Sequence, residues 1–246
     1  MCTVTFLPRQ RGYALAMNRD EQRARMAGLP PSKKIIGGRA VLAPSEPGGG
    51  TWIAVNESGA TLALINWYSV ANRVSGETIS RGQVVQLAAA ASAPERVASA
   101  LAQLSLERMN PFRLMGIFSD TREIAEWRWD LKKLVRRRHR WQAQQWISSG
   151  FNESAAQRVR HQTFRRALEQ TSAGSLDWLR RLHRSHSPQM GPFSTCMHRA
   201  DAATVSYTEV TVSPKQNTMR HRAVSPCQCV DHSVDFLRRR QRVPTI

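Results

Sequence analysis

The chain has 246 residues, of which 41% are hydrophobic and 22% charged, with 14 Gly and 12 Pro. That composition excludes collagen-like, coiled-coil and wholly disordered chains and leaves room for one substantial core. The 36 Lys and Arg against 18 Asp and Glu give a formal charge of +18, which admits a nucleic acid, an acidic membrane surface or an anionic small molecule as partner without choosing among them.

The arginine bias equally fits a GC-rich genome, so composition does not argue for a dedicated nucleic-acid role. No run approaches the roughly 18 apolar residues of a membrane span, and the first residues lack the pattern of a secretory signal, so the expectation is a cytoplasmic protein with no membrane span. Four cysteines, Cys2, Cys196, Cys227 and Cys229, are too few and too unevenly placed for a disulfide framework.

In chain order, residues 13–17 form an apolar run that ends in Asn18-Arg19-Asp20-Glu21, which reads as a buried strand delivering charged groups at its end. Residues 23–47 are punctuated by Pro30-Pro31, Gly37-Gly38 and a Pro/Gly-rich stretch from Pro44, which predicts a loop with at most a short strand over 40–42. Residues 51–55 and 61–65 flank Asn56-Glu57-Ser58-Gly59 and predict an antiparallel hairpin. Pro94 and Glu95, followed by Val97, Leu101 and Leu104 at helical spacing, predict an amphipathic helix from Ser92. Strands are expected over 114–118 and 123–129, joined by a turn at Ser119-Asp120. Residues 134–140 lead into 141–148, then two polar helices are expected over 152–168 and 175–183, and a β-branched strand over 203–212. The last thirty residues read as weakly structured. Strands joined by short turns, with helices between them, predict an antiparallel-rich α+β fold whose helices cover sheet faces. The expectation is a single domain over 1–225 with a weakly structured basic tail over 226–246.

The most informative position is the second. Removal of Met1 makes Cys2 the N-terminus and puts a thiol and a free α-amine on one residue, so that the nucleophile carries its own base. Their unperturbed pKa values, about 8.5 for the thiol and about 7.7–8.0 for the amine, allow a proton to pass between them near neutrality. Arg19 is the candidate for lowering the thiol pKa, and Asp20 for orienting the α-amine. The bland alternative is an accidental cysteine and a solvated charged turn.

Met1-Cys2-Thr3-Val4, Tyr13-Ala14-Leu15-Ala16-Met17-Asn18-Arg19-Asp20-Glu21 and Gly49-Gly50-Thr51-Trp52-Ile53-Ala54-Val55-Asn56, in that order, closely resemble the Asn-Arg-Asp-Glu family, the transport and Golgi organisation 2 family. The likeness extends through Leu64-Ile65-Asn66, Asn110-Pro111-Phe112, Trp127-Arg128-Trp129-Asp130, Ser148-Ser149-Gly150 and Cys196-Met197-His198-Arg199, segments similar to those of bacterial members. That family looks like part of the N-terminal nucleophile hydrolase superfamily, similar at its start to choloylglycine hydrolases and penicillin V acylases. The resemblance implies a four-layer αββα sandwich in which Cys2 begins an inner strand. It also implies attack by Cys2 on an amide or related acyl carbon, with Arg19 and Asp20 at the motif positions.

An acyl-transfer site needs donors for the oxyanion, and Asn66, at the exit of the second hairpin strand, is the candidate; a turn-capping role is the alternative. Asn18 of the tetrad is a candidate binding residue. The acylases use a second asparagine and a distant arginine, for which Asn152 and Arg199 are the nearest matches. The expected ligand is a small amide or acyl compound, and no cofactor is implied. The alternatives are a non-catalytic carrier of a hydrophobic anionic ligand, such as an acyl thioester or haem, and a basic nucleic-acid binder.

Other motifs read more blandly. Gly48-Gly49-Gly50 lacks the Lys-Ser/Thr of a P-loop and precedes a strand, so it reads as a tight turn or a close backbone approach to the site. Cys227-Gln228-Cys229 with Asp231 and His232 resembles a metal site in composition only, and His183 with His186 offers no third ligand, so no metal is expected. Cys196 reads as a reduced, partly buried thiol. The basic run 132–140, flanked by Trp127, Trp129, Trp141 and Trp146, reads as a basic hairpin loop rather than a single-stranded nucleic-acid platform.

Overall fold

The computed structural model describes residues 2–228 and 232–239. The chain opens with β1 (Cys2–Arg9) and β2 (Gly12–Gln22), an antiparallel pair in which Cys2 faces Arg19 and Arg9 faces Gly12. The tight turn depends on Gly12, whose φ is 111° and where a Cβ would meet the Val212 carbonyl oxygen at 1.9 Å. Successive side chains of these strands point to opposite faces. Cys2, Val4, Phe6, Tyr13, Leu15 and Met17 enter one core, while Leu7, Ala14 and Ala16 enter another.

A second sheet follows, built from β3 (Leu29–Ile36), β4 (Arg39–Ser45), β5 (Ile53–Asn56), β6 (Ala60–Asn66), β7 (Phe112–Phe118), β8 (Glu123–Trp129) and β9 (Leu134–His139). The chain then returns to the first sheet with β10 (Gln144–Ser148), β11 (Ala202–Val212), β12 (Gln216–Arg222) and β13 (Ser233–Arg238). The first sheet runs β10-β1-β2-β11-β12-β13 and the second β3-β4-β5-β6-β7-β8-β9; the paired strands are antiparallel.

Helices α1 (Gly82–Ala88) and α2 (Pro94–Leu101), inserted between β6 and β7, pack with Val41, Leu62, Leu114 and Trp127 of the second sheet. Helices α3 (Glu153–Leu168) and α4 (Leu176–Arg184), between β10 and β11, lay Phe164, Trp178, Leu179 and Leu182 on the outer face of the first sheet. The inner faces meet in a third core containing Phe6, Leu15, Ile53, Ile65, Ile117 and Val210. The result is the expected α+β sandwich in four layers, helix, sheet, sheet, helix.

Local sequence signals match the structure at several places. Pro94 opens α2 with Glu95 in its first turn, Asn56 Oδ1 accepts from the Ser58 and Ala60 amides in the predicted turn, and β7 and β8 form the predicted hairpin. Three expectations need correction, and one helix was not anticipated. Residues 23–47 are not mainly a loop: Gly37 and Gly38, at φ 52° and 74°, form the tight turn of a β3–β4 hairpin. The region 82–88 holds α1, too short to show a helical period. The basic run is not a loop either. Its residues 134–139 form β9, an edge strand on which exposed Arg137 and Arg138 blunt further pairing. Finally, the last thirty residues contribute most of β12 and all of β13, because Asn217, Met219, His221 and Leu237 are buried on the sheet.

Between α4 and the first sheet lies a buried polar cluster. Asn18 Nδ2 donates to the carbonyls of His183 (2.9 Å) and Thr195 (2.8 Å). The His183 ring bridges Asn18 Oδ1 at 3.0 Å and Thr5 Oγ1 at 2.9 Å. Burial, reinforced by the Arg160 charge, pushes the His183 pKa down to about 3. Its folded value is thus below its ordinary one of about 6.5, so His183 contributes stability that is complete above the ordinary value and is lost as pH falls towards the folded one. The melting temperature is expected to fall between pH 7 and 4, and His183→Gln to flatten that slope; an unchanged slope in the variant would rule His183 out as its source.

Candidate active site

The tetrad lies inside β2, which runs on to Gln22, rather than at the end of a shorter strand. Alternation therefore divides it. Arg19 turns towards the second sheet, where its Nη2 donates to Glu46 Oε1 at 2.7 Å and its guanidinium sits 4.5 Å from the Trp52 ring centroid. Asn18 and Asp20 turn the other way, towards the helices.

Asp20 is buried. Its Oδ2 accepts from Arg160 Nη1 of α3 at 3.2 Å and its Oδ1 from Thr204 Oγ1 of β11 at 2.6 Å. Both side chains of the ion pair are 0% exposed. Thr204 reaches Asp20 because β11 shifts register between Thr204 and Ser206, leaving Val205 unpaired opposite the tetrad. Arg160 also donates to Thr3 Oγ1 at 2.7 Å, so the pair clamps the back of β1 beside Cys2.

Cys2 lies between Arg19 of β2 and Ser148 of β10 in the sheet register. Burial is the largest influence on its thiol and raises its pKa, the Asp20 charge raises it further, and Arg19 and a hydrogen bond from the Asp20 backbone lower it. Asp20 thus meets the sulfur through its main chain, while its carboxylate is held by Arg160 and Thr204.

Cys2 and Arg19 line a cavity of about 230 Å³ together with Glu21, Glu46, Trp52, Leu64, Asn66, Arg81 and Asn110. The exit of β6 brings Asn66 there, with Nδ2 donating to Tyr68 Oη at 2.9 Å. Asn18, Asn152 and Arg199 are not part of this lining. Asn18 is held in the polar cluster behind the sheet. Asn152 is exposed and caps α3, its Oδ1 accepting from the Ala155 amide at 3.0 Å. Arg199 pairs with Asp201 at 2.7 Å and lies over Phe151.

Glu46 and Arg81 escaped the sequence reading. The turn after β4 presents Glu46: the Glu46 amide donates to the Gly50 carbonyl, and Gly49, at φ 93°, donates back to the Glu46 carbonyl. Gly50 then touches the first residue of α1, where a Cβ on Gly82 would lie 2.9 Å from Gly50 Cα. That glycine contact, with Thr51 N donating to Gly82 O at 3.2 Å, brings neighbouring Arg81 to the cavity. The glycine run is thus a close backbone approach to the site. Arg81 Nη1 donates to the Pro111 carbonyl at 3.2 Å; burial lowers its pKa, though a guanidinium stays protonated. Among the described residues no carboxylate forms a salt bridge with Arg81.

These sheets, with a cysteine at the head of an inner strand, have the fold of the N-terminal nucleophile hydrolases. Similar solved structures include the mutant C2A conjugated bile acid hydrolase from Clostridium perfringens, with TM-score 0.55 and 12% identity over 96% of this chain and 92% of that one. A variant of the same hydrolase gives 0.56 and 12% over 95% and 92%. Penicillin V acylase from Agrobacterium tumefaciens gives 0.52 and 10% over 97% and 86%. The chain itself belongs to the Transport and Golgi organisation 2 family, whose model matches residues 1–133. No curated protein matches it in sequence.

Removing one partner of the Asp20–Arg160 pair strands a buried charge. Arg160→Met is therefore expected to destabilise the fold by about 3–5 kcal/mol in urea unfolding. Thr204→Val, which removes one hydrogen bond to the carboxylate, is expected to cost about 1–3 kcal/mol. Equal and negligible effects would mean that the clamp contributes nothing.

Proposed function

We propose that this protein is a cysteine amidohydrolase or acyl-transfer enzyme of the N-terminal nucleophile type, acting on a non-peptide C–N bond of a small acyl compound that carries an anionic group. The observation that supports it is the meeting of Cys2, Arg19, Asn66 and Arg81 around one cavity. After removal of Met1, the Cys2 sulfur bonds to the acyl carbon and its proton passes to the α-amine. The amine returns that proton to the departing nitrogen as the C–N bond breaks. Water then cleaves the thioester, assisted by the same amine. Burial raises the thiol pKa, so transfer of its proton to the α-amine is the step that generates the nucleophile. Asn66 supplies the oxyanion donor, Arg19 is held in place by Glu46, and Arg81 attracts the anionic group of the substrate. The amide class is drawn from the bile acid hydrolase and the penicillin acylase that share the fold.

The carrier reading is less favoured, because charged and amide side chains dominate the cavity lining and a hydrophobic ligand gains little there. A nucleic-acid platform finds less support still: Trp127 and Trp129 are buried, and Arg136 is paired with Glu95 and Glu123.

Intact-mass analysis is expected to show the purified protein without Met1 and, with reactive N-acyl amides, an acyl adduct on Cys2. Cys2→Ala is expected to lower turnover by at least about 1000-fold and Asn66→Ala by about 100–1000-fold, whereas Arg81→Gln raises KM with kcat little changed. The wild-type kcat/KM is expected to rise with pH through the ordinary range of an α-amine, about 7.7–8.0, as the base loses its proton. Met1 retained on most molecules, or equal ligand binding without turnover by wild type and Cys2→Ala, would remove the mechanism and favour the carrier.

A further inference from the structure

A second cluster lies behind the first sheet, in the irregular chain between α4 and β11 and in the β12–β13 connection. His186, Cys196, His198 and Cys227 place one ligand atom each within 4.8 Å of one another. Cys196 is fully buried and the other three are half-buried. The Nε2 of His198 lies 3.2 Å from His186 Nε2, 3.5 Å from Cys196 Sγ and 3.5 Å from Cys227 Sγ.

A hydrogen-bond network does not explain this arrangement. One ring nitrogen carries one proton or one lone pair, yet three polar atoms converge on this one. Tetrahedral zinc does account for the spacings. Bonds of about 2.3 Å to sulfur and about 2.0–2.1 Å to nitrogen put tetrahedral vertices about 3.3 Å apart for two nitrogens and about 3.5 Å apart for nitrogen and sulfur. A reactive-thiol role for Cys196 is disfavoured, since the side chain is fully buried and out of reach of solvent reagents.

We propose that His186, Cys196, His198 and Cys227 form a structural zinc site. Two thiolates and two neutral imidazoles through Nε2 fill a closed coordination sphere and leave no position for substrate. Binding releases the two thiol protons to water, and the thiolates balance the charge of the ion. Around the ligands, Ser225 Oγ lies 3.6 Å from Cys196 Sγ, Ser194 Oγ donates to the Cys196 carbonyl at 2.6 Å, and the His198 amide donates to Gly191 O at 3.1 Å. Such surrounding bonds orient ligands before the metal arrives.

The placement gives the ion a task. The segment from His186 to His198 has little regular structure of its own, yet its Pro192 and Thr195 carbonyls accept from Arg160 and Asn18, the residues behind Cys2. Zinc would tie this segment to the β12–β13 connection and hold it against the sheet. The proposal departs from the expectation of no metal. Cys227 joins the cluster through partners distant in sequence; Cys229 and Asp231 of the Cys227-Gln228-Cys229 motif lie outside the described residues. His186 belongs to the cluster, whereas His183 does not.

The test uses the full chain, purified without a histidine tag under reducing conditions. Elemental analysis is expected to find about one zinc per chain, as a closed four-ligand site requires. Cobalt(II) added to the metal-free protein is expected to give the d–d bands of tetrahedral cobalt and a thiolate charge-transfer band. Cys227→Ser and His186→Gln, both at half-buried positions, are expected to weaken zinc binding by more than the roughly 10–100-fold that outer partners contribute. A chelator is expected to lower the melting temperature of the wild type and leave the variants unmoved. The proposal is overturned by wild type without zinc and without the thiolate band, by undiminished zinc affinity in both variants, or by a Cys196–Cys227 disulfide in the freshly reduced and purified protein. The wild-type cobalt spectrum decides the matter even where a variant fails to fold, and none of these readouts depends on the chemistry of Cys2.

Discussion

The whole site depends on one geometrical constraint, the two-residue period of β2. A strand sends neighbours to opposite faces, so Asn18-Arg19-Asp20-Glu21 cannot act as a single cluster. Asn18 and Asp20 are committed to the helix side, where isolated polar and charged groups would be costly and each is matched by His183, Arg160 or Thr204. Arg19 is left on the cavity side opposite Cys2. A slip of one residue between β1 and β2 would exchange the two sets, burying Arg19 among helices that offer Asp20 a cation, so the register is selected by charge as well as by apolar packing. The buried pair therefore serves fidelity of pairing more than net stability, since burying two charges offsets much of their attraction.

Much of the architecture was legible because it is local. The Asn56–Gly59 turn, the Pro94 helix start and the apolar run of β7 carry their own signals, and the tetrad marks the segment that pairs with Cys2 through Arg19. The rest was hidden for specific reasons. Gly37-Gly38 looked like loop punctuation, although two successive left-handed residues are what a tight hairpin requires. Glu46 and Arg81 reach Cys2 only because Gly50 and Gly82 touch backbone to backbone, a contact no window of sequence displays. Asn152 is a binding candidate only as the nearest match to an asparagine of the acylases, yet its local context, an asparagine just before a helical run, is that of a cap. His186, Cys196, His198 and Cys227 show no short motif spacing, because the fold rather than the chain brings them together.

The strong positive charge is distributed in a way that bears on function. Glu126 is buried with Arg113, Arg128 and His139 around it, and despite the opposing effect of burial these partners hold its pKa down to about 2. Glu209 takes Arg180 at 2.8 Å, and Asp20 takes Arg160. Many arginines are thus structural counterions of buried carboxylates, and a bulk count overstates the charge available to any polyanion.

The cavity departs from that pattern. Arg19 is saturated by Glu46, with Glu21 at 3.4 Å, and Glu46 is shared in turn with Arg25, so this network fixes geometry while contributing little net field. Arg81 has a carbonyl as its hydrogen-bond acceptor and, among the described residues, no carboxylate in salt-bridge reach, at a partly dry surface where electrostatic interactions are strong. Under the proposed function a division of labour follows: Arg19, paired with Glu46, would position the wall beside the sulfur, and Arg81 would meet the charged end of the ligand. A site built to hold any acyl chain by burial would need neither, because apolar contact has no direction. Two arginines, one tied and one not, instead suit a ligand whose charged end is bound at a set distance from the bond to be broken.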